Sequence, residues 1–238
     1  MPKTYQLPCS YFSDRTETIV AIECPWLPNL LHANLMQQGF RHSGSMFYLP
    51  VCAKCHACLP LRIPTETFKP TKSQRRVIRK NAETTATFGI PELTPEKCDI
   101  YQRYIRSQHP GSPQTGSEQE LRHFLYSPIP SLREMVFYRE GKPVAVSIVD
   151  YIERLAFSSV YHYFDPDYSN LSLGTFSAAF EIQYARQHGI PYYYFGFWIP
   201  DCPEMSYKNK FGPNEILWDH KWTPNTPDFM AEIQPFLH

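Results

Sequence analysis

Between residues 135 and 164 the chain reads as three strands joined by two tight turns, and that run constrains the fold more than any other feature. The stretches 135–138, 143–151 and 155–164 are rich in β-branched and aromatic residues, with Glu140-Gly141 and Glu153-Arg154 between them as hairpin turns. Strands linked by two residues can pair only antiparallel. A helix is predicted over 173–188, ended by Gly189, and a further strand over 192–197. Antiparallel strands, then a helix, then another strand define an α+β order with one βαβ step at its end.

Upstream the signals are shorter. Apolar Leu30, Leu31, Leu35 and Met36 ahead of Gly39 predict an amphipathic helix over 27–39 with the glycine as its stop. From there to about Pro70 the chain is proline-rich and is expected to be irregular; 23 prolines overall keep helices short. A helix is expected over 72–80. Thr94-Pro95 starts another, with Ile100, Tyr101, Tyr104 and Ile105 as its apolar face. Ser117 and Glu120 form a capping box ahead of Leu121, Phe124 and Leu125. Residues 109–117, rich in Gly, Pro, Ser and Thr, read as a loop long enough for a lid. These signals divide the chain into an N-terminal cysteine-bearing region (1–70), a basic connecting segment (71–93) and a C-terminal domain (94–238).

The 23 basic and 23 acidic side chains cancel, so a polyanionic partner would have to be met by local charge. The first residues lack an apolar signal core, and no apolar run approaches the ~20 residues of a membrane span. Seven cysteines, an odd number without a leader, argue against a disulfide scaffold and for a reducing compartment, hence the cytoplasm.

Four features can carry chemistry. Cys52, Cys55 and Cys58 stand two residues apart, a spacing that lets a tight turn grip one metal ion. Cys9 is the natural fourth ligand, with Cys24 or His56 as substitutes, for a structural zinc ion or an iron–sulfur cluster. Lys69, Lys72, Arg75, Arg76, Arg79 and Lys80 form a basic stretch without an acidic residue between Glu66 and Glu83, extended by Arg41, His42, Lys54 and Arg62. It is either a solvated face or a phosphate-binding one. Tyr161-His162-Tyr163-Phe164-Asp165 runs towards Ser172 and Gly174 at a helix start, whose free amides favour anions. The aromatic, proline-bounded segment 196–211 holds Tyr207 and Lys208 and could wall a pocket or pack as a core loop.

Taken in order, PCSYF (8–12), DRTET (14–18), GFRHSGSMFYLPVCAKCHACLPLRIP (39–64), KPTKSQRRVIRKN (69–81), VYHYFDPDYSNLSLGTF (160–176) and YYYFGFWIPDCPEMSYKNKFGPNEI (192–216) resemble the arginyl-tRNA–protein transferase family. Within it they are most similar to the short bacterial branch, the aspartate/glutamate leucyltransferases. Phe12 and His42 stand where many relatives carry Leu and Arg. The resemblance implies a GNAT-like acyltransferase domain behind the cysteine-bearing region. It also implies transfer of leucine from Leu-tRNA to proteins with N-terminal Asp or Glu, marking them for degradation. Arginyl transfer to the same acceptors is the alternative. A CoA-dependent N-acyltransferase is a second, though residues 170–175 lack its pyrophosphate loop; a non-enzymatic zinc-binding RNA module is a third. No cofactor is required for the chemistry, because the donor ester is already activated.

On that basis Arg75, Arg76, Arg79 and Lys80 are assigned to tRNA phosphates, and Ser172 and Gly174 to the tRNA 3′ end. Lys208, beside Tyr207 and with Arg62 in reserve, is expected to pair with the acceptor's acidic side chain. Tyr161, Tyr163 and Asp165 are expected to line the transfer site, with Asp165 or Asp150 as proton acceptor.

Overall fold

The computed structural model describes residues 1–111 and 116–237. Part of the loop expected over 109–117, residues 112–115, lies outside the described residues.

The chain begins with β1 (Lys3–Pro8) and β2 (Thr16–Glu23), then helix α1 (Asn29–Gln37), β3 (Arg41–Ser43) and β4 (Met46–Pro50). These strands form a four-stranded antiparallel sheet in the order β1-β2-β4-β3. Next come β5 (Leu59–Pro64), α2 (Lys72–Lys80), β6 (Thr85–Gly89), α3 (Pro95–Gln108) and α4 (Glu118–Leu125). The meander follows as β7 (Leu132–Arg139), β8 (Lys142–Ile152) and β9 (Ala156–Phe164), then α5 (Leu173–Gln187) and β10 (Tyr192–Trp198). The short α6 (Pro203–Ser206), β11 (Glu215–Trp218), β12 (Lys221–Pro224) and α7 (Pro227–Ile233) complete the chain.

The second sheet has eight strands in the order β12-β11-β5-β10-β9-β8-β7-β6. The meander and both turns stand where the sequence puts them. Glu140 and Gly141 both adopt positive φ, as a two-residue turn matched to strand twist requires. The βαβ step is also present: β10 pairs parallel with β9 across α5. The class is therefore α+β. One core lies between the sheet and α5, built on Leu61, Ile63, Phe137, Phe157, Phe176, Ile182 and Tyr193. A second lies on the opposite face under α3 and α4, around Ile100, Tyr101, Leu121, Val146, Ile148 and Tyr163.

Three expectations need correction. The proline-rich stretch after residue 39 is ordered as β3, β4 and β5. Its prolines are tolerated in β5 because β11 pairs only with Leu61 and Arg62, so Pro60 and Pro64 fall outside that ladder. Helix α1 buries His32, Ala33 and Met36 and leaves Leu30 and Leu31 exposed, because His32 is drawn into a buried polar cluster described below. The large sheet also takes β5 from the N-terminal region and β6 from the connecting segment, so the three segments are divisions of sequence and not of packing. Gly39 does stop α1, at φ +86°, and a Cβ there would meet Pro60 and Leu217 at 2.9 Å.

No helix among the described residues is long and apolar enough to cross a membrane.

Candidate active site

The parallel strands β9 and β10 pair at only two positions, Tyr193 with Phe157 and Tyr194 with Ser158, and then part. Both strands are irregular there: β8–β9 shifts register after Ile148, and β10 shifts against β5 between Tyr194 and Gly196. Arg41, from β3, reaches into this region. Its guanidinium donates to the Ser158 hydroxyl and the Ser159 carbonyl. Gly196 makes room: at φ +81°, a Cβ on it would lie 3.2 Å from Arg41 Nε. The sequence reading places Arg41 only in a surface patch; the Gly at 196 inside a strand was the available signal of a close approach.

Lys208 comes from the segment after β10. It is buried, donates from Nζ to the Phe197 carbonyl at 2.9 Å, and lies 5.5 Å from the centroid of the Phe195 ring. Burial, reinforced by the charge of Arg41, lowers its pKa to about 7. Among the described residues no carboxylate pairs with it. Tyr207 packs its ring 5.8 Å from Phe195. Lys208 and Arg41 thus place two basic groups at the parting of the two strands.

His162, in β9, lies against the first turn of α5. Its Nδ1 contacts Ser147 Oγ at 2.9 Å, while Nε2 is buried without a hydrogen-bond partner. A Cβ on Gly174 would lie 4.0 Å from that Nε2. Burial lowers the His162 pKa to about 4, so the ring is neutral. Behind it, Glu181 is fully buried and accepts from the Tyr193 hydroxyl at 2.7 Å; burial lifts its pKa to about 7 against the hydrogen bonds from Ser147 and Tyr193. Sequence reasoning missed Glu181, since a glutamate mid-helix looks like surface until its neighbours are known.

At the start of α5, Ser172 is exposed, lies in the left-handed region at φ 54° and makes no side-chain cap, and the basic helix α2 adjoins it. Lys80 Nζ donates to the Asn170 carbonyl at 2.6 Å and Asn81 Nδ2 to the Leu171 carbonyl at 2.9 Å. Arg75, Arg76 and Arg79 are exposed, and none of them is ion-paired among the described residues. Thr71 and Gln74 close a capping box that fixes the start of α2.

Several assignments made from sequence do not survive the geometry. Successive strand residues face opposite sides, so Tyr161 and Tyr163 lie under α3, away from the side where His162 meets α5. Tyr163 is fully buried, its hydroxyl 3.2 Å from that of Tyr126, and the Tyr101 ring packs against those of Tyr161 and Tyr163. Asp165 is held by a two-point contact with Arg103 and accepts from the Asp167 amide at 3.1 Å. Burial would raise its pKa, but Arg103 keeps it low, so it is a poor base. Asp150 is buried and engaged by His42 and Ser131. Arg62 pairs with Glu215 at 2.7 Å and lies between the rings of Tyr192 and Trp222, so it is no reserve for the acceptor. Neither His42 nor Arg62 extends the exposed basic face.

Cys9, Cys52, Cys55 and Cys58 line one groove of about 800 Å³, and burial followed by the neighbouring thiols pushes the Cys58 thiol up to about 12. Cys24 instead donates to the Trp26 carbonyl, and the His56 ring packs 6.2 Å from that of Trp218. Four clustered thiols suit a soft metal ion. Among the described residues, however, the set of three donors lying within 4.8 Å of one another is His32, His42 and Asp150. The four sulfurs are spread more widely along their groove.

The parallel strands β9 and β10 thus part beside the buried Lys208 and the half-buried Arg41, next to the start of α5. The chain belongs to the arginine-tRNA-protein transferase family: the model of that family's N terminus matches residues 7–76 and that of its C terminus residues 96–218. It is 35% identical to an aspartate/glutamate leucyltransferase of Pseudomonas fluorescens (strain SBW25) over 217 residues, 90% of this chain and 92% of the relative. The corresponding protein of Hahella chejuensis (strain KCTC 2396) is 34% identical over 221 residues, 92% of this chain and 94% of that one. Among solved structures, L-PGS from Bacillus licheniformis aligns with TM-score 0.45 and 13% identity, over 60% of this chain and 45% of that one. The ribosomal-protein-S18-alanine N-acetyltransferase of Escherichia coli aligns with TM-score 0.32 and 18% identity, over 44% of this chain and 63% of that one.

Proposed function

We propose that this chain transfers leucine from leucyl-tRNA to the α-amine of proteins that begin with Asp or Glu. Near full-length similarity to relatives named for that activity supports the substrates. The geometric observation that carries the reading is Lys208, a buried cation beside Arg41 without a counter-ion at the strand parting. An acceptor's β- or γ-carboxylate would supply that charge, and an arrangement of this kind rewards an acidic first residue over its amide.

In the proposed reaction the exposed face of α2 holds tRNA phosphates and the amides at the start of α5 hold the 3′ end. The acceptor amine, whose pKa is near ~8, attacks the ester carbonyl carbon once deprotonated. The new C–N bond forms, the ester C–O bond breaks, and the ribose hydroxyl leaves with a proton. The activated ester needs no further energy source, so positioning and oxyanion stabilisation carry most of the rate. His162, whose Nε2 is unpartnered beside the start of α5, takes the place of Asp150 and Asp165 as the group that accepts a hydrogen bond from the acceptor amine and orients it.

Purified protein given labelled Leu-tRNA and a peptide with N-terminal Asp should yield leucyl-peptide, with little product from Arg-tRNA, from acetyl-CoA, or from an N-terminal Asn peptide. Product from acetyl-CoA alone, or none from either charged tRNA, would reject the assignment.

Cys9, Cys52, Cys55 and Cys58 are further proposed to close on a structural zinc ion or iron–sulfur cluster. Elemental analysis of anaerobically purified protein should find bound metal that Cys52→Ser and Cys55→Ser each remove. Metal content independent of both cysteines would show that the thiols are not its ligands.

A further inference from the structure

Beneath the strand parting, His32 from α1, His42 from β3 and Asp150 from β8 meet in a buried cluster, at 2%, 8% and 1% exposure. None of the three lines the cysteine groove. His42 Nε2 lies 2.9 Å and His32 Nε2 3.6 Å from the same oxygen, Asp150 Oδ2.

The other ring nitrogens fix where the protons are. His42 Nδ1 lies 3.0 Å from the Gly44 carbonyl, which can only accept, so this nitrogen carries hydrogen. Ser131 gives its proton to Asp150 Oδ1 at 3.0 Å and so accepts from His32 Nδ1 at 2.8 Å. The Nδ1 atom of each ring is thus already occupied, and both Nε2 atoms converge on one buried carboxylate oxygen.

We propose that His32 Nε2, His42 Nε2 and Asp150 Oδ2 bind a borderline divalent metal ion of the zinc class. Imidazole ligands characteristically donate their other N–H to a carbonyl or hydroxyl, which is what Gly44 and Ser131 accept here. Donors at the usual ~2.0–2.2 Å around a tetrahedral ion stand roughly 3.3 Å apart, and the 2.9 and 3.6 Å separations bracket that value. Two imidazoles and a carboxylate select zinc or cobalt over calcium or magnesium. The Phe47 ring packs 4.9 Å from His32 and 5.3 Å from His42, so the ion would be structural. It clamps α1 and the small sheet onto the large one.

The test compares the chelator-stripped full chain with His42→Arg, using Co²⁺ as the probe. The guanidinium keeps Asp150 paired but offers no lone pair. Wild type should bind one more equivalent of Co²⁺ than the variant, with d–d bands and no thiolate-to-cobalt charge transfer from that equivalent. Zn²⁺ should raise the melting temperature of the wild type more than that of the variant. Equal cobalt stoichiometry in the two folded proteins would overturn the site and leave a plain His42–Asp150 ion pair. If His42→Arg does not fold, X-ray absorption of the wild-type cobalt complex decides: imidazole scattering supports the site, and its absence refutes it.

Discussion

Replacing Lys208 with methionine is expected to raise the melting temperature while removing the preference for an acidic acceptor. The folded-state pKa is about 7, against an ordinary value of 10.5. The unfolded chain therefore binds more protons between those values, and wild-type stability should rise with pH through that window. Keeping the lysine buried costs roughly 5 kcal/mol at and below neutral pH. Losing its bond to the Phe197 carbonyl gives back about 1–3 kcal/mol. Methionine should thus stabilise the fold by roughly 2–4 kcal/mol near neutrality, several degrees in melting temperature for a chain of this size. The gain should vanish as pH approaches the ordinary lysine value.

The same variant should raise the Michaelis constant for N-terminal Asp or Glu peptides by roughly thirtyfold or more, the worth of a buried charge pair. Wild type should also lose acceptor affinity above about pH 7, as Lys208 gives up its proton, even while the amine becomes more reactive. A melting curve unchanged at neutral pH, or an unchanged Michaelis constant, would remove Lys208 from the acceptor site.

Reversing two charges on α2, in Arg75→Glu with Arg76→Glu, should weaken tRNA binding by roughly ten- to a hundredfold near 0.1 M salt. The slope of log affinity against log salt should fall by about 2, one for each lost phosphate contact. Both side chains are exposed, while the buried Gln74 beside them anchors the helix through the Lys210 carbonyl at 3.1 Å, so folding should be retained. Unchanged affinity and slope would mean that the basic face is only solvated.

Local signals with short-range causes were legible. The meander, its turns, α2, α3 and α5 follow from alternation, capping residues and glycine stops, all of which act within a few residues. The strands of the first 70 residues were hidden because prolines mask them and their partners lie far off: Leu61 pairs with Gly196, and Ile19 with Pro50. The site was partly legible. Lys208, Gly174 and the α2 arginines lie in conspicuous motifs, whereas Glu181 and the His32–His42–Asp150 cluster gather residues from distant segments and carry no local mark.

What the sequence determined by itself was the order of motifs, hence the family and the class of reaction, together with the elements whose causes are local. Only the tertiary structure decided which groups are free to react. Strand alternation sent Tyr163 into the α3 core and turned His162 towards α5, Arg103 and Glu215 tied up Asp165 and Arg62, and Gly196 admitted Arg41 beside Lys208. The reason is physical: a side chain's chemistry depends on its burial and its counter-charges, and both are supplied by residues that only folding brings near.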